Sequence, residues 1–113
     1  MEYNFSESDE VVDLEKVSKI NEIGKKWSNL NCDLMTNPKE RQKCERIREI
    51  TISYGQDVMK IQEKSDSCQA ILEEGPLYKS RLASYRDCTE QTEKSLIRLV
   101  NKYYNHFVQA DNS

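Results

Sequence analysis

Residues 31–44 read NCDLMTNPKERQKC. Two cysteines, Cys32 and Cys44, stand on either side of Asn37-Pro38. Asparagine is a strong helix cap, proline suits the first helical position, and Glu40 then falls at the third, where it favours the helix dipole. A helix therefore starts at Pro38, and whatever precedes it must stop. The stretch reads as the turn of an antiparallel helical hairpin with one cysteine on each arm.

Downstream of Pro38, Cys44, Ile47, Thr51, Tyr54, Val58, Ile61, Ser65, Cys68 and Leu72 recur in alternating steps of three and four. That spacing lays them along one helical face. Tyr54-Gly55 and Ser65-Asp66-Ser67 are two places where this arm can break, so it reads as one long helix or as two. Glu74-Gly75-Pro76 is the second turn, with glycine ending a helix and proline opening the next. The last arm runs through Tyr78, Leu82, Tyr85, Thr89, Thr92, Leu96, Leu99 and Tyr103, with a kink allowed between Asp87 and Glu93, which lack aliphatic residues.

Upstream, Ser6-Glu7-Ser8-Asp9 resembles a capping box. Val11, Leu14, Val17, Ile20, Ile23, Trp27, Leu30 and Leu34 follow as an apolar stripe. Short connections make neighbouring helices antiparallel. The expected fold is all-α: an up-down bundle of three long helices, four if the middle arm breaks. It forms a single domain over residues 1–113, with residues 1–7 a flexible acidic segment.

The bundle fixes which cysteines can meet. With the middle arm unbroken, Cys44 lies about 9 Å and Cys68 about 45 Å above its start, at 1.5 Å per residue. Cys32 sits near the low end, and Cys88 about 37 Å up the returning arm. A disulfide needs Cα atoms within about 7 Å. The pairing expected is Cys32–Cys44 and Cys68–Cys88, one staple at each turn; a bent middle arm would loosen that argument.

An even cysteine count in a short chain, with no C-x-x-C pair, favours disulfides over zinc or free thiols. Disulfides imply an oxidising compartment. No basic or apolar leader follows Met1, so a secreted chain is expected with its signal peptide already removed. No apolar run approaches the length of a membrane span. Asn4-Phe5-Ser6 also matches a glycosylation acceptor. Charged residues make up 33% of the chain, yet the net charge is only −3, and mean hydropathy is −0.87; the helical periodicity favours an ordered chain.

Chemistry is sparse. The single histidine, His106, has no activated partner in its motif, and phosphate loops, zinc-protease and nucleophile-elbow patterns are missing. No catalytic residue, metal ligand or cofactor is assigned. Residues 39–49 (KERQKCERIRE) hold five basic residues interleaved with three glutamates. This mixture reads as a solvated helix face rather than a nucleic-acid surface. Residues 1–15 carry six acids and no base, against 17 basic and 14 acidic residues in the rest. Tyr3, Phe5, Glu7, Asp9 and Glu10 thus form an acidic, aromatic head suited to a basic protein surface. Tyr103, Tyr104 and Phe107 are a second candidate contact cluster, since such aromatics are enriched at interfaces.

In length, helical character, four cysteines read as two disulfides, high polarity and lack of catalytic groups, the chain resembles the small anopheline mosquito salivary proteins of the anophensin and albicin type. The resemblance carries no motif onto a numbered residue. It implies a non-enzymatic inhibitor that binds a host plasma protein, either the complement convertase of the alternative pathway or components of kallikrein–kinin contact activation. The competing expectations are a small helical ligand carrier of the odorant-binding kind and a cytosolic helical adaptor with free thiols. A carrier needs a spare apolar cavity, which a chain only 36% hydrophobic is poorly supplied to line.

Overall fold

The computed structural model describes residues 11–76 and 78–112. Three helices follow one another: α1 (Leu14–Ser28), α2 (Pro38–Glu73) and α3 (Lys79–Asn112), with a 3₁₀ turn at Cys32–Leu34 between the first two. The all-α expectation holds.

Asn37 caps α2 as its sequence demands, its Oδ1 accepting from the Lys39 and Glu40 amides at 2.9 and 3.3 Å, with Pro38 in the first turn. The helix then runs 36 residues without a break, about 54 Å. Gly55 stays helical, and Ser67 donates to the Glu63 carbonyl one turn back instead of capping a new segment. Thr92 does the same to Cys88 in α3, which is also unbroken through 87–93. Gly75 makes the second turn with φ of 145°, a region side chains disfavour. Arg81 closes that turn by donating to the Ile71 carbonyl at 3.2 Å and pairing with Glu74 at 3.5 Å.

The first arm is shorter than its stripe suggests. Its cap is Asp13, which accepts from the Glu15 and Lys16 amides at 3.0 and 3.4 Å; the Ser6–Asp9 capping box lies outside the described residues, as does the 1–7 segment. The helix stops at Ser28, and Asn31 caps the 3₁₀ turn that swings Cys32 inward. Leu14 and Leu34, expected on the apolar face, are 75% and 78% exposed, and Val11 and Leu30 are exposed too. Asn31 Oδ1 accepts from the Asp33 amide at 3.0 Å, a local bond that competes with a continuing helix, and Cys32 must leave the helix axis to reach its partner.

Both staples are present as expected: Cys32–Cys44 and Cys68–Cys88, each with Cα atoms 5.6 Å apart. All four sulfurs are therefore committed, which excludes the free-thiol and zinc alternatives for them.

The helix lengths dictate the shape. At 15 residues α1 spans less than half of the α2–α3 hairpin. The proximal half is a three-helix bundle whose core is Ile20, Ile23 and Trp27 of α1, Cys44 and Ile47 of α2, and Leu99, Val100, Tyr103, Phe107 and Ala110 of α3. Among the described residues the distal half is built of two helices, and Cys68 is its only fully buried residue. The molecule is accordingly long and flat, 62 × 35 × 15 Å.

Candidate protein-binding surfaces

The C-terminal aromatic cluster proves to be interior. Spaced four apart, Tyr103 and Phe107 share the α3 face that meets α2, and they are 5% and 1% exposed. Tyr54 of α2 meets both edge-on, with ring centroids 5.2 and 6.0 Å away. The Tyr103 hydroxyl donates to Asp57 Oδ2 at 2.7 Å. Burial, and then the bond to the Asp57 carboxylate, push the Tyr103 phenol up to about 12; burial also raises Tyr54. The contact role expected for Tyr103 and Phe107 is thus corrected: a ring pair on the helix–helix seam is worth more as core than as surface. Tyr104 is half-buried, with Lys16 Nζ 5.4 Å above its ring and also bonded to Asn101 Oδ1 at 2.9 Å. It ties α1 to α3.

A second tie closes the other end of α1. The Trp27 indole N–H donates to Asp111 Oδ1 at 3.0 Å, and Lys26 pairs with the same oxygen at 3.5 Å. The indole bond, with Lys26 and Lys43 behind it, holds the Asp111 carboxyl below its ordinary range despite partial burial. These contacts are structural. The other sequence candidates, Tyr3, Phe5, Glu7, Asp9 and Glu10, lie outside the described residues.

The surface that sequence reasoning missed follows from the short α1. Where α1 stops covering the hairpin, a groove of about 370 Å³ opens between α2 and α3. Val12, Val58, Ile61, Cys68 and Leu96 form its apolar floor, and Gln62, Ser65, Thr89, Thr92 and Glu93 line it with polar groups. Elsewhere in the distal half, Met59, Tyr78 and Leu82 are 66%, 62% and 43% exposed. Val58, Ile61 and Leu96 had the spacing of core residues; the missed signal was the mismatch between a 15-residue arm and the two long ones.

Among the described residues no group of three or more His, Cys, Asp or Glu side chains converges as metal ligands would. No helix among them is long and apolar enough to cross a membrane. By its fold the chain is a three-helix protein stapled at both turns. No family model matches it, and no curated protein or solved structure does.

Proposed function

We propose that the protein is a secreted, non-enzymatic inhibitor that binds a host plasma protein or protease complex and blocks a defence cascade, either the alternative complement pathway or kallikrein–kinin contact activation. The observation that carries this reading is the distal half. Among the described residues, a polar, doubly stapled scaffold leaves an apolar groove and large apolar side chains uncovered there, and such patches on small proteins mark contact surfaces. The disulfides suit an extracellular setting, and the resemblance to the salivary inhibitors supplies the class of target.

The acidic head adds steering. Tyr3, Phe5, Glu7, Asp9 and Glu10 supply aromatic contact and negative charge for a basic surface, which raises association rate more than it slows dissociation. The test is capture from plasma followed by complement-lysis and kallikrein-generation assays. Stoichiometric inhibition of one cascade is expected, weakened when Leu96→Arg puts a charge in the groove. Deleting residues 1–7 with Asp9→Asn and Glu10→Gln should slow association, more so at low salt. A protein that captures nothing and inhibits neither cascade refutes the proposal.

A second reading, a carrier of a small apolar ligand, draws on the same groove, whose volume lies at the lower end for ligand sites. Saturable binding of a fluorescent fatty acid, abolished by Leu96→Arg, would favour it over the inhibitor.

A further inference from the structure

The mixed-charge run at 39–49 separates by sign once it is wound into α2. Arg41 turns to one side, where it pairs with Asp33 and Glu45 at 3.7 Å each. Lys39, Lys43 and Arg46, spaced four and three apart, turn to the other, and with Gln42 alone they line a shallow depression. No carboxylate among the described residues forms a close ion pair with any of the three, although Lys43 acts at longer range on Asp111. Lys43 instead leans over the Trp27 ring, 5.5 Å from its centroid. Arg46 continues into a second depression, where α3 contributes Lys102 and His106. Lys102 likewise has no described carboxylate partner and lies 5.3 Å from the Tyr103 ring centroid. Among the described residues Glu49 is the only acid lining either depression.

Charges of one sign, adjacent and without an ion pair among the described residues, stand out in a protein of net charge −3 and suit an anionic partner. The array is linear: Lys39 to Arg46 covers about 10.5 Å of helix, and Lys102 extends it across to α3. We propose that this face binds a linear sulfated polysaccharide. Basic clusters of this kind serve polysulfated sugars and nucleic acids alike. Two observations favour the sugar. The face offers little aromatic surface on which a base could stack: Tyr103 is buried, and His106 is half-buried and packed edge-on against it at 5.9 Å. The two disulfides point to an extracellular setting, where the abundant linear polyanions are sulfated. A membrane surface fits less well, since no exposed large apolar side chain lines either depression. The proposal is independent of the plasma-protein reading and of the groove, which opens in the distal half.

The test is retention on immobilised heparin, with a DNA duplex and phosphatidylserine vesicles as parallel probes. The wild-type protein should be retained at about 50 mM salt and released as salt rises. The K39Q/K43Q/R46Q variant, checked for helical content and intact disulfides, should bind at least tenfold more weakly. The slope of log affinity against log salt should fall by about 2–3, close to one released counterion per lost cation. K102Q, from the other helix, should weaken binding two- to threefold. R41Q, on the paired side of the same run, should bind as wild type. Flow-through of the wild type, equal retention of the triple variant, or equal loss in R41Q overturns the proposal. DNA or vesicles bound as tightly as heparin would overturn its choice of partner.

Discussion

Removing the distal staple with Cys68→Ser/Cys88→Ser should unlock half the molecule and leave the other half folded. In the distal half the described residues bury only Cys68 completely, while Ile61, Ile71, Leu72 and Leu96 stay half-exposed. Two helices with that little core are held together largely by the covalent bond. The bond joins residues 20 apart, and a closed loop of that size restricts the open chain by about 3 kcal/mol in the chain-entropy description. The same restriction applies when only the distal arms separate, because residues 68–88 lie wholly within them. Three kcal/mol corresponds to about a hundredfold in the opening equilibrium. Hydrogen exchange followed by mass spectrometry reads this directly. Peptides within 62–92 should exchange about a hundredfold faster, while those covering 16–27 and 99–110, in the three-helix half, keep their protection. Uniform acceleration along the chain would show that the halves unfold together. Unchanged exchange in 62–92 would show that helix packing, not the disulfide, holds the arms. Either outcome refutes the reasoning.

Three further outcomes are expected. Gly24→Ala and Gly55→Ala should each raise stability by about 0.5–1 kcal/mol in denaturant melts, since a new Cβ would meet Thr51 Oγ1 at an ordinary 3.9 Å in the first case and nothing within 4 Å in the second. The Tyr103 phenol is raised from 10.0 to about 12 on folding, so its contribution is whole below pH 10 and is lost as pH rises between the two values. Tyr103→Phe should remove that alkaline loss and cost about 1.5–3 kcal/mol at pH 7 in chemical denaturation. Asp111 has the opposite sense: its folded value lies below 3.8, so its contribution is present above pH 3.8 and fades as pH falls through the folded value. Asp111→Asn should flatten this part of the acid-denaturation curve, monitored by Trp27 fluorescence.

Much of this fold can be read directly from the chain, for reasons that differ from arm to arm. Asn37-Pro38 and Glu74-Gly75-Pro76 act locally through backbone geometry, so both turns appear where those residues stand. The staples follow from helix rise alone. The extent of the first arm does not. Val11, Leu14, Leu30 and Leu34 keep the helical period, but period measures compatibility with a helix, not the presence of a surface to bury against. Asn31 turns the chain out of the helical course by a local bond to the Asp33 amide that the apolar stripe masks. The middle arm stays whole because α3 runs alongside it and offsets the weak propensity of Gly55. The aromatic cluster was misplaced for a related reason: Tyr103 looks like an interface residue until Asp57, 46 positions away in sequence, satisfies its hydroxyl inside the seam. The groove is a difference between helix lengths, which no single motif encodes.

The two staples join neighbouring cysteines in chain order, first with second and third with fourth, at separations of 12 and 20. Of the three ways to pair four cysteines, this one closes the shortest loops. Loop-closure entropy alone favours it over either alternative by about 1.5 kcal/mol, more than tenfold in population, before any helix packs. Oxidation of the unfolded chain is therefore biased toward the native bonds from the outset. Each turn can be sealed without reference to the other, and a chain passing through an oxidising compartment has little need of reshuffling to reach its working form.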